Sequence, residues 1–105
     1  MNKMNFSLSA EGFRAVLSSL QMCSIGLNME PCNATRKMME QLLLHVGIRM
    51  HSRTWNLKKK NTLILTIPEA MAFYLVMGIV VEAIRDEYAQ VVVQDMVDKI
   101  HKSIV

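Results

Sequence analysis

The spacing of apolar positions changes along the first part of the chain. Phe6 and Leu8 alternate with polar residues, which is typical of a short strand with one buried face. Apolar residues then recur every three or four positions, which predicts a helix with a single apolar face. That face consists of Phe13, Val16, Leu17, Leu20 and Cys23. Ser9 is a suitable N-cap for this helix, and Gly26 is its predicted end.

A second apolar stripe predicts a helix that begins after Asn33. The stripe consists of Met39, Leu42, Leu43, Val46 and Met50. Its end is ambiguous, because Gly47 could terminate the helix and leave an extra β-hairpin over residues 48–67. The stripe keeps its helical register through Met50, so we favour a helix that continues to about residue 51.

The second half of the chain repeats this order of elements. Residues 62–67 are β-branched and apolar, and they form the clearest predicted strand. Pro68 follows, and proline suits the first turn of a helix. We expect that helix to run to about Glu87, and an amphipathic helix to run from about Tyr88 to Ser103. Neither Gly nor Pro marks a break between the two, so their separation stays open.

These elements predict a predominantly helical α+β fold in one domain, residues 1–105. The order is strand–helix–helix twice, with about four helices, in halves that span about 4–55 and 62–105 and align at an offset of 58 residues. The two short strands are expected to pair into a small antiparallel sheet. A two-stranded sheet is marginal alone, so helices or the strands of a partner must support it.

The helix after Pro68 has no charged residue from 70 to 81. A helix that is apolar all round is normally buried, and one small protomer can hardly surround it. Gly78 costs about 1 kcal/mol relative to Ala, which a close helix contact would offset. We therefore predict a homodimer, formed by a non-enzymatic module for self-association and protein–protein interaction. The expected interface residues are Met71, Tyr74, Leu75, Gly78 and Val81.

Composition and charge narrow the classes of protein. The chain has 105 residues, of which 51% are hydrophobic and 20% charged, so it does not belong to the disordered class. The net charge of +3 is uneven: residues 1–61 carry nine basic and three acidic side chains, whereas residues 62–105 carry three basic and six acidic ones. Either the first half meets an anionic partner or the two halves attract each other. The second interpretation needs no partner and is favoured.

A basic cluster with one aromatic residue lies between positions 49 and 60. Its members are Arg49, Arg53, Trp55, Lys58, Lys59 and Lys60. Basic groups bind phosphates, and an aromatic ring can stack on a base. Since no helix-turn-helix or RNP pattern accompanies the cluster, a nucleic-acid-binding accessory protein is the second hypothesis, ranked below self-association.

The sequence predicts no enzyme, metal site or cofactor. His45, His51 and His101 lack the i,i+4 spacing of helical zinc ligands, and Cys23 and Cys32 form no CxxC pair. No nucleophile elbow or phosphate-binding glycine loop occurs.

The longest uncharged apolar stretch has 12 residues, fewer than the roughly 20 that a bilayer span needs. The first residues lack the apolar run of a secretory signal. We therefore expect a cytoplasmic protein without a membrane partner.

Overall fold

The computed structural model describes residues 3–27 and 34–104, which form four helices and a two-stranded antiparallel sheet. The elements in chain order are β1 (Lys3–Leu8), α1 (Ala10–Leu27), α2 (Ala34–Ser52), β2 (Asn61–Thr66), α3 (Ile67–Val80) and α4 (Glu87–Ile104). Two 3-10 turns, Thr54–Asn56 and Val81–Ala83, follow α2 and α3. The predominantly helical α+β fold and its order, two strand–helix–helix units, are confirmed.

The sheet pairs β1 with β2 so that Phe6 lies opposite Leu63. Strand side chains alternate between the two faces, and here one face is buried and the other is exposed. The buried face consists of Phe6, Leu8, Leu63 and Leu65, and the exposed one includes Asn5, Ser7, Thr62 and Ile64. The helices cover the buried face, so the sheet forms one wall of the core.

One contiguous core joins all four helices to the sheet. Helix α1 packs against α2 and α4, and α3 packs against the same two helices. The largest fully buried side chains are Phe13, Phe73, Met50, Leu65, Met77 and Ile100. The helical stripes predicted for α1 and α2 supply much of this core, and α4 contributes Ala89, Val93, Met96, Val97 and Ile100. None of the described helices combines the length and hydropathy needed to cross a bilayer.

Helix α2 continues to Ser52, as the register of its stripe predicted. Met50 is completely buried, so ending the helix at Gly47 would remove a core contact. The alternative hairpin over residues 48–67 is wrong, because a helix end and a 3-10 turn precede β2. At the other predicted boundaries, α1 continues through Gly26 to Leu27, and Asn33, after which the second helix was predicted to begin, lies outside the described residues.

The helix after Pro68 is shorter than predicted. It ends at Val80 rather than near Glu87, and a 3-10 turn and residues 84–86 separate it from α4. The Asp86 carboxylate accepts a hydrogen bond from the Ala89 amide at 2.9 Å, which caps the start of α4. An aspartate in this position is the sequence signal that could have located the break.

Both strands pass directly into a helix through a capping hydroxyl. Ser9 Oγ accepts a hydrogen bond from the Gly12 amide at 3.0 Å, and Thr66 Oγ1 accepts one from the Glu69 amide at 3.3 Å. The two caps are 57 residues apart, so equivalent backbone positions differ by 57 rather than 58. An offset of 58 would superpose inward-facing strand positions on outward-facing ones, because strand side chains alternate with a period of two.

Candidate interaction surfaces

Helix α3 buries one side and exposes the other. Its buried side consists of Ala70, Ala72, Phe73, Val76 and Met77. The opposite side, which we call the α3 face, consists of Ile67, Met71, Tyr74, Leu75, Gly78 and Ile79. Ile79 is 80% exposed and Leu75 is 48% exposed. The four-helix core of the single protomer therefore covers only one side of this helix, and its burial on the other side by a second subunit stays a prediction.

Four of the five residues predicted for a dimer interface lie on the α3 face, and the fifth does not. Val81 is 4% exposed and belongs to the core of the protomer. Ile67 and Ile79 were missed, although each follows or precedes a predicted residue by four positions, a spacing that keeps residues on one helix face. The candidate interface in the structure therefore includes Ile67 and Ile79 and does not include Val81.

Gly78 has no packing role within the described part of the chain. It is exposed, and a Cβ atom built at Gly78 would meet a single side-chain atom within 4 Å, Val97 Cγ1 at 3.9 Å. That distance is an ordinary van der Waals contact. The helix therefore carries the cost of an interior glycine, about 1 kcal/mol, without a close contact inside the protomer.

Tyr74 lies at the margin of the α3 face and connects it to α4. Its hydroxyl is 2.8 Å from Nδ1 of His101, and the two rings stack with their centroids 5.7 Å apart. This contact holds one border of the face in a defined position.

Two arginines of the basic cluster cover the free edge of β2. Arg53 Nη1 donates to the Thr62 carbonyl at 2.7 Å, and Arg49 Nη2 donates to the Ile64 carbonyl at 3.3 Å. The Arg53 guanidinium also lies over the ring of Phe13, 5.2 Å from its centroid. These carbonyls point away from β1 and would otherwise be open to another strand.

The free edge of β1 is covered in the same way from α4. The Lys99 ammonium donates to the Asn5 carbonyl at 2.8 Å and lies 5.0 Å from the centroid of the Phe6 ring. Cationic side chains therefore occupy both edges of the two-stranded sheet.

Arg49 also forms an ion pair with Glu69, whose residue is only 5% exposed. Oε1 of Glu69 accepts from Arg49 Nη2 at 2.9 Å and from the Thr66 amide at 2.9 Å. The hydrogen bond from Arg49 lowers the pKa of Glu69, and the Thr66 amide adds to this against the opposing effect of burial. The same bond raises the pKa of Arg49.

The structure divides the basic cluster into two parts. Arg49 and Arg53 are engaged with the protein itself, as described above. Trp55 is 87% exposed in the 3-10 turn after α2, and Lys58, Lys59 and Lys60 are exposed in the following loop. Only this second part remains available to a partner.

A shallow cleft of about 270 Å³ lies between β1 and α4. At one end Ser9 Oγ lies 3.1 Å from the Tyr88 hydroxyl, and at the other Lys99 is bound to a backbone carbonyl. The polar groups of Ser9, Tyr88 and Lys99 are therefore engaged at the helix cap and the strand edge.

Within residues 3–27 and 34–104, no three His, Cys, Asp or Glu side chains come together as metal ligands. The described residues form a small, mainly helical α+β fold in which α3 presents an uncharged, partly exposed face. No family model, no curated protein and no solved structure matches the chain.

Proposed function

We propose that the protein is a self-associating helical interaction module in which the α3 faces of two copies pack together. The observation that carries this proposal is Ile79, which is 80% exposed on a helix without a charged residue between Glu69 and Glu82. Large apolar side chains clustered on one face of a small protein typically mark a binding surface.

A second copy is the occupant that the charges favour. The α3 face carries no charge, so two copies approach without repulsion, and a two-fold axis lets the same face serve both subunits. In an antiparallel crossing, Glu82 of one copy lies near the N-terminal end of the other α3, which carries a partial positive charge. Gly78 has no side chain, so it permits the two α3 backbones to approach closely. Such a contact between subunits would offset the cost of an interior glycine, which no contact within the described part of the protomer does.

The sheet edges are a poor alternative for association. Arg49, Arg53 and Lys99 already bind outward-pointing carbonyls, and basic residues at strand edges oppose pairing with another chain. Self-association through α3 leaves all three contacts intact.

Sedimentation velocity of the full chain, from about 1 to about 100 µM, tests the proposal, because association depends on concentration. We expect a monomer–dimer equilibrium. Ile79→Glu should shift the protein to a folded monomer, because it places a charge within the apolar contact.

Val91→Glu is the matched control, since Val91 is 57% exposed and belongs to α4 rather than to the α3 face. It should leave the dimer intact. Circular dichroism checks that both variants fold. A wild-type protein that stays monomeric at the highest concentration overturns the proposal, as does a dimer that Val91→Glu disrupts and Ile79→Glu does not.

A further inference from the structure

Trp55 has an unusual environment for so large an apolar side chain. It is 87% exposed in the 3-10 turn Thr54–Asn56. Its nearest neighbours in the chain are polar, and the cationic Arg53 and Lys58 lie two and three residues away. A tryptophan that anchors a protein–protein contact is normally surrounded by contacts that exclude water from it. An isolated ring among cations is instead typical of a stacking platform for bases.

The charged residues of this segment of the chain are all basic. Residues 41–68 contain no Asp or Glu. The positive charge of Arg49 is balanced by the carboxylate of Glu69. Arg53 instead donates to a neutral carbonyl, which does not balance its charge. Together with the three exposed lysines, this leaves a positive surface beside Trp55.

The lysine loop is held in a defined shape by a buried amide. Asn61 is 4% exposed; its Oδ1 accepts from the Lys58 amide at 2.9 Å, and its Nδ2 donates to the Lys58 carbonyl at 2.8 Å. Nδ2 also lies 3.3 Å from the Leu8 carbonyl, which fixes the turn to the end of β1. A fixed loop loses less conformational entropy when it binds than a flexible one does.

We infer that Trp55 and the loop Lys58–Lys60 bind single-stranded nucleic acid. The indole stacks on an unpaired base, and the lysines bind the phosphates that flank it. A duplex does not fit this surface, because its base faces are already stacked on each other. The surface is distinct from the α3 face, so this inference does not depend on self-association.

Trp55 is the only tryptophan in the chain, so its fluorescence reports directly on its own environment. The experiment is a titration of the full chain with an oligothymidylate at about 50 mM salt, repeated at higher salt and with a duplex of equal length. We expect quenching by the single strand and little quenching by the duplex. We also expect affinity to fall linearly with salt on a logarithmic scale.

Two variants separate stacking from charge, with binding followed by the anisotropy of a labelled oligonucleotide. Trp55→Ala should weaken binding about tenfold or more, because it removes one base stack. The triple variant Lys58→Gln, Lys59→Gln and Lys60→Gln should reduce the salt slope by about 2, since each phosphate contact on a single strand contributes about 0.7.

The matched control removes three cations elsewhere, with Lys37→Gln, Arg85→Gln and Lys102→Gln, and should keep most of the affinity and the quenching. The inference is overturned if the wild type does not bind at about 50 mM salt, or if both triple variants lose affinity equally. Polyglutamate that binds as tightly as the oligonucleotide also overturns it, because the surface then recognises an acidic polypeptide. Circular dichroism confirms that each variant is folded.

Discussion

Arg49 at the end of α2 and Glu69 at the start of α3 form a two-point ion pair that joins three elements of the fold. The Glu69 carboxylate also completes the cap of α3 with Thr66, and Arg49 reaches the Ile64 carbonyl on β2. Arg49 thus connects the C-terminal end of α2 to the N-terminal end of α3 and to the edge of β2.

Arg49→Met should lower the free energy of unfolding by about 1–3 kcal/mol, because it leaves the nearly buried Glu69 carboxylate with fewer donors. The Arg49 side chain is 49% exposed, so solvent screening keeps the loss below that of a fully buried pair. Urea denaturation followed by circular dichroism measures it. Arg85→Met removes an exposed guanidinium and should change stability by less than about 0.5 kcal/mol; equal losses in the two variants would contradict the role given to Arg49.

The ion pair also predicts a pH dependence. The pKa of Glu69 is lowered from 4.5, first by its hydrogen bond with Arg49, so the folded state favours the ionised carboxylate. The stabilisation is present above the unfolded pKa and is lost as the pH falls through the lower folded pKa. The difference in unfolding free energy between wild type and Glu69→Gln should therefore be largest near neutral pH and shrink once the pH is below about 4.5. Urea denaturation at a series of pH values measures this, and a constant difference would argue against it.

Removing the cations from the sheet edges should promote strand-mediated association. In the double variant Arg53→Met and Lys99→Met, the outward carbonyls of Thr62 and Asn5 lose their donors and the edges become available to other chains. We expect large, heterogeneous oligomers in light scattering, distinct from a dimer. The double variant Lys37→Met and Lys102→Met loses the same charge at other exposed positions. It should remain free of such oligomers, and aggregation of both variants alike would point to net charge rather than to the edges.

Phe73 and Leu75 lie two positions apart on α3 and should respond differently to truncation. Phe73 is fully buried, so Phe73→Ala should cost about 3–5 kcal/mol at any protein concentration. Leu75 lies on the α3 face, so Leu75→Ala should lower the free energy of unfolding of the monomer only slightly. It should lower that of the dimer more. Thermal unfolding at two protein concentrations separates the effects. If the loss of stability in Leu75→Ala did not change with protein concentration, Leu75 would not belong to an interface between subunits.

The fold could be predicted largely because its signals are local. The period of two around Phe6 and the helical stripe ending at Met50 each need only neighbouring residues to be interpreted. The break before α4 was not located, because an aspartate cap such as Asp86 is a weaker signal than Gly or Pro. The partners of Arg49 and Arg53 could not be predicted, because they lie on β2 and α3 and meet the arginines only after the chain folds.

The sequence by itself determined the element order, the strand alternation and the apolar helix stripes, because each follows from backbone periodicity and side-chain burial. Only the tertiary structure decided which side of α3 faces solvent, because that depends on how many helices surround it. It also decided that two arginines of the basic cluster belong to a sheet edge and that Trp55 and three lysines do not. Those choices depend on distances between segments that the linear pattern does not contain.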